Sequence, residues 1–190
     1  MNKKIIIALI IAILIIVGII VLIASKPKSN LKISNIEDLK TLINQIYEGT
    51  ENLELPTMMT LELDLEQDWI VEAFTGLGNG NSLEYAVASE TETVTYPYSL
   101  VLAKVKEDID VEQIAKTMNE KINLSKWGDE TAEKVYVTSS GNIICLVMAN
   151  EEEAKTIYER FKTLAGAIGE EYQKINKKQN WLFISQFLIF

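Results

Sequence analysis

The chain has 190 residues, with 18 basic and 27 acidic side chains, no histidine and one cysteine. Four of the basic residues precede Ser29, leaving 14 against the 27 acids, so the region after the N-terminal segment carries −13 and is repelled by phosphate backbones and anionic headgroups. Nucleic acid is therefore a poor partner. The absent histidine removes Ser-His-Asp and Cys-His catalysis and most zinc and copper sites, and a lone cysteine forms no internal disulfide.

Residues Ile5 to Ala24 form an unbroken apolar run of twenty, with no charge. At about 1.5 Å of rise per residue, such a helix is about 30 Å long, the thickness of a bilayer's hydrocarbon core. This reads as an N-terminal transmembrane anchor over residues 1–25. The alternative is a cleaved signal peptide: Lys3 and Lys4 supply its positive start and Ala24 suits a cut. However, the run exceeds the usual apolar region and Leu22 is large for the position two before the cut. A soluble helix fits poorly, because a segment apolar all round needs apolar surroundings all round. Lysines flank the run on both sides (3 and 4 before; 26, 28 and 32 after), so charge does not decide orientation. The four-residue head suits a bacterial anchor that leaves the domain extracytoplasmic. Ala8 and Ala12 have small-xxx-small spacing, which ordinary span composition explains.

Lys26 to Asn30 is a short polar linker. Ser34-x-x-Glu37 reads as a capping box opening a helix that ends at Gly49, with Ile36, Leu39, Leu42, Ile43, Ile46 and Tyr47 as its apolar face. The linker and this helix occupy 26–52. Leu61 to Glu66 alternates apolar with acidic residues, as a half-buried strand does, and a short helical turn from Glu66 to Phe74 follows. Gly76-Leu-Gly-Asn-Gly-Asn81 is a turn. Leu83 to Ser89 and Tyr98 to Lys106 read as strands, and Asp110 caps a helix with Val111, Ile114, Ala115, Met118 and Ile122 on one face. Lys134 to Thr138 and Asn142 to Ala149 form a hairpin through Ser139-Ser-Gly-Asn142. A last helix opens near Asn150 with three glutamates in its first turn, which suits the helix dipole. The pattern predicts an α+β domain over 53–168: a ββαββα core, an antiparallel sheet with helices on one face. The two ββα units share a strand-turn-acid-helix layout that suggests duplication. Over 169–190 a polar stretch leads to the apolar tail Trp181 to Phe190, too short to span a bilayer as a helix. An edge element, an interfacial membrane contact and a disordered tail all remain open for it.

Three stretches carry a resemblance: Leu55-Pro-x-Met58; Tyr98 to Glu107 leading into the helix at Asp110; and Val135-Tyr-Val-x-x-x-Gly141-Asn-Ile-Ile-x-Leu146 leading into the last helix. Over about 53–165 the chain resembles a family of small membrane-anchored or lipoprotein domains of uncharacterised function from Gram-positive bacteria. The resemblance implies extracytoplasmic attachment and an α+β domain, and it brings no activity. The family's glutamate near the start of the second strand is absent here, where Ser99 and Leu100 stand. The lipobox cysteine of many relatives is absent too.

No residue is assigned a catalytic, cofactor-binding or metal-binding role. Asp64-x-Glu66-x-Asp68 imitates the start of a calcium loop, but Trp69 and Thr75 occupy the positions that need Gly and Glu. Gly76-x-Gly78-x-Gly80 lacks the Lys-Ser/Thr of a phosphate loop. Asn123-Leu-Ser125 is a glycosylation sequon only in a host that uses it. Cys145 lies in an apolar strand and reads as core, while Trp69, Trp127, Tyr85, Tyr96 and Tyr98 read as core before ligand surface. The expected partners are the membrane, through Ile5 to Ala24, and an unknown protein or envelope component. The expected function is that of a non-catalytic interaction module on the cell membrane. Alternatives are a carboxylate-based or metal-assisted hydrolase and an accessory subunit of a membrane complex.

Overall fold

The structure, a computed structural model, describes residues 29–93 and 95–176. The segments Ile5 to Ala24 and Trp181 to Phe190 lie outside the described residues. Among the described residues no helix is long and apolar enough to cross a membrane.

Ten elements follow in chain order: α1 (Ile36–Tyr47), β1 (Met58–Glu62), α2 (Asp68–Thr75), β2 (Leu83–Thr91), β3 (Ser99–Val105), α3 (Val111–Lys121), β4 (Lys134–Ser140), β5 (Ile143–Ala149), α4 (Glu151–Ala165) and β6 (Tyr172–Ile175). All six strands join one antiparallel sheet in the order β1-β2-β3-β5-β4-β6. The α+β class and antiparallel sheet are those the sequence predicts. The helices are not confined to one face, however. Helices α1 and α4 cover one side, packing with Leu100, Leu102, Cys145 and Val147. Helices α2 and α3 cover the other, packing with Val101, Ala103, Ile144 and Leu146. Successive strand residues point to opposite faces, so β3 and β5 must be apolar at nearly every position. The two ββα units therefore share an element order but send α3 and α4 to opposite sides.

Local chemistry sets the boundaries. Helix α1 is capped by Asn35, one residue later than the sequence predicts. The Asn35 Oδ1 accepts from the Asp38 amide at 3.1 Å, and the Asp38 carboxylate accepts from the amides of Ser34 and Asn35. Asp110 and Asn150 cap α3 and α4 through their own side chains. The β4–β5 hairpin closes through Gly141 and Asn142, with Gly141 at φ +59°, where a side chain would cost energy. Strand β6 pairs with β4 inside a stretch whose charged composition hid it. Both α1 and β6, outside the predicted 53–168 bounds, belong to the same packed unit.

Candidate functional site

Strand β1 lies at the end of the sheet and pairs only with β2 among the described residues. Among the described residues no strand lies along its outer backbone edge, the position at which a further strand adds to a sheet. Met59 and Leu61 stand opposite Glu90 and Ala88 and so project to the α2/α3 face. They remain 40% and 38% exposed. Trp69, on α2 of the same face, is 68% exposed, and its Nε1 donates to Gln67 Oε1 at 2.9 Å. The opposite edge, β6, is four residues long and carries Lys174. Charge on an edge strand discourages pairing, and β1 has charge only at its end, in Glu62.

Beside Met59 lies a largely buried ion pair. Lys126, in the loop after α3, pairs with Glu90 of β2 and reaches Ser99 Oγ at 3.4 Å. Its ammonium sits 4.1 Å from the centroid of the Phe74 ring and 5.1 Å from that of Trp127. Only 11% of the Lys126 side chain and 16% of Glu90 remain exposed. Burial lowers the Lys126 pKa, while the Glu90 charge opposes that shift. No local pattern marks this pair, because its members are 36 residues apart.

A cleft of about 690 Å³ opens at the end of the sheet where β4 turns into β5. Ser29, Asp110, Glu112, Ser139, Gly169 and Glu170 are among the residues that line it. Its acids are engaged: Asp110 caps α3, Glu112 accepts from the Ser139 hydroxyl and the Glu170 amide, and Glu170 accepts from the Tyr172 hydroxyl. These are positioning contacts that tie α3 to the chain after α4.

On the α1/α4 face the Tyr47 hydroxyl donates to Ser89 Oγ at 2.8 Å and lies 3.1 Å from that of Tyr98. Burial raises the pKa of both tyrosines, that of Tyr98 most. Cys145 is fully buried and its thiol is pushed up by burial, so it is a poor nucleophile. Tyr96 hydrogen-bonds Glu153, and Tyr136 stacks on Tyr158 with ring centroids 4.9 Å apart.

The structure disperses the other motifs. Asp64 accepts from the Glu66 amide and the Gln67 side chain, forming a turn before α2. Among the described residues no group of three or more Cys, Asp and Glu is placed to hold a metal ion. Gly76 closes α2 in the left-handed conformation. The Asn123 side chain accepts from the Ser125 amide at 2.9 Å. Of the five aromatic residues singled out, Tyr98 is core, Trp127 and Tyr96 are partly buried beside charged partners, Tyr85 contacts Ser34 O, and Trp69 is surface. Compared with models of protein families, with curated proteins and with solved structures, the chain matches none.

Proposed function

We propose that this chain is a single-pass membrane protein with its domain on the outer side, serving as a non-catalytic module that binds a protein or envelope partner along β1. The observation that carries the reading is the exposed apolar pair Met59 and Leu61 on an edge strand that pairs only with β2 among the described residues. An incoming strand gains main-chain hydrogen bonds from such an edge, and alternate side chains supply selectivity. The membrane part of the reading rests on the twenty apolar residues Ile5 to Ala24. The family resemblance agrees with extracytoplasmic attachment. The net negative charge favours a neutral or cationic partner over nucleic acid. A hydrolase at the envelope would draw on Asp110, Glu112 and Glu170 in the cleft. Each already accepts a structural hydrogen bond, which favours a positioning role for them.

Two measurements test the proposal. Protease added to intact cells should digest the domain and leave a membrane-embedded fragment; protection until lysis would overturn the outward orientation. Leu61→Lys should lose the partner that cross-links to the unaltered protein. Undiminished cross-linking would remove β1 from the account.

A further inference from the structure

The first described residues are stitched to one end of the sheet. Ser29 Oγ accepts from Ser140 Oγ at 2.7 Å, the Asn30 amide donates to Ala165 O at 2.9 Å, and the Leu31 amide donates to Ser29 Oγ at 3.1 Å. Gly166 leaves room for the Asn30 side chain: a Cβ there would stand 2.2 Å from Asn30 Nδ2. The chain therefore leaves the domain at a fixed point beside the β4–β5 turn.

Only residues 25–28 separate Ser29 from the apolar run ending at Ala24. Five Cα steps at full extension reach about 18 Å. The headgroup layer takes up about 6 Å of that on each side of the hydrocarbon. Ser29 thus lies at most about 12 Å beyond the headgroups, even with the linker pulled straight. The opposite end of the β4–β5 hairpin, with Lys134, Ala149 and the start of α4, is six strand steps or about 20 Å farther along.

The geometry points to the end of the domain that carries the β4–β5 turn, the start of α3 and the loop after α4 as the face held against the lipid headgroups. This rests on the reading of Ile5 to Ala24 as an uncleaved anchor. The cleft lined by Ser29, Glu112 and Ser139 then lies at the bilayer end of the domain, and the start of α4 lies at the far end. In sequence Lys26, Lys28 and Lys32 follow the span, while Glu107, Asp108, Asp110 and Glu112 stand at the end of the domain that carries the β4–β5 turn. Anionic headgroups repel those acids, so the short tether, not charge, holds this end to the membrane.

The test uses the full chain in phosphatidylcholine vesicles that contain a lipid with a quencher on its headgroup. Neutral lipid keeps the acidic end from being driven away by charge. A single fluorophore is placed at Asp108→Cys, in the exposed turn before α3, or at Glu152→Cys, exposed at the start of α4. Both changes remove one negative charge. The native Cys145 is fully buried and takes no label in the folded domain. Quenching at position 108 should exceed that at 152 several-fold. Equal quenching, or stronger quenching at 152, with the protein floating with the vesicles, would overturn the orientation and leave the anchor standing. Failure of every variant to float with the vesicles would overturn the anchor and the orientation with it.

Discussion

The two faces of the sheet are closed by different means. Helices α1 and α4, of 12 and 15 residues, lie over β2, β3, β5 and β4 and seal their face with aliphatic side chains and tyrosine hydroxyls. On the other face α3 lies over β4, β5 and β6, and the eight-residue α2 reaches β3. Toward β1, helical cover on that second face runs out. There the structure puts Lys126 and Glu90 under Phe74 and Trp127 and leaves Met59 and Leu61 exposed. Where two long helices span a sheet, hydrophobic packing suffices; where cover ends, a buried charge pair fills the margin. One face is thus built for stability, and the rim of the other is available for contact.

The largest way to break this comparison is to open the well-sealed face. Phe161 of α4 is fully buried. Phe161→Ala removes a large side chain from a close-packed site and should cost about 4 kcal/mol, read as a lower urea midpoint. The second face has its own critical point. Lys126→Met leaves the Glu90 carboxylate buried without its partner and should cost about 3 kcal/mol. Replacing both, as Glu90→Leu with Lys126→Met, should restore most of that loss, because an apolar pair needs no desolvated charge. A double variant no better than the single would mean that Lys126 acts through packing on Phe74 and Trp127 instead.

Tyr47 and Tyr98 on one face and Lys126 on the other respond to alkaline pH with opposite sign. Burial raises Tyr98 and Tyr47 above their ordinary value of 10.0. The folded state then holds protons that the unfolded chain has lost, so their contribution is full below about pH 10 and falls as pH rises beyond it. Lys126 is lowered from 10.5 by burial. In the window just below that value the unfolded chain binds more protons, so Lys126 adds stability as pH rises. The groups raised in the fold (six tyrosines, the Cys145 thiol and Lys40, Lys104 and Lys162) outnumber the lowered Lys126 and Lys174, so net stability should fall above about pH 10. Tyr98→Phe should cost about 1 kcal/mol at neutral pH and make the alkaline fall shallower. Lys126→Met should make it steeper. Urea midpoints between about pH 8 and 11 check both slopes.

Much of this architecture is legible along the chain, and what is hidden has a physical reason. The Asp110 and Asn150 caps, the Gly141 turn and the apolar stripes of α1, α3 and α4 are local signals, read within a few residues of where they act. The second helical layer was also written in the sequence. Ile143 to Ala149 has no polar position, which a strand with one wet face would need. Strand β6 escaped because Tyr172-Gln-Lys-Ile175 is short and polar and forms only when β4 offers an edge. The Lys126–Glu90 pair escaped because nothing in either neighbourhood names a partner so far away in sequence. The strand expected over Leu61 to Glu66 overlaps β1 only at Leu61 and Glu62: β1 runs from Met58 to Glu62, Leu63 and Leu65 pack on the core beyond it, and Leu61 stays 38% exposed because β1 ends the sheet.

The smallest expected change in stability bears most directly on function. Met59→Lys and Leu61→Lys place charge on side chains that are already more than a third exposed. Neither change opens a cavity or strands a buried polar group, so each should shift stability by less than about 0.5 kcal/mol. The same charges interfere with any strand that would lie along β1, because a paired neighbour would have to cover them. Partner capture should therefore fall sharply while the urea midpoint stays put. A matched control is Ile175→Lys on β6, also exposed but on the opposite edge. Equal loss of capture from both edges would trace the effect to overall charge; loss from β1 alone would assign the contact to the open rim of the second face.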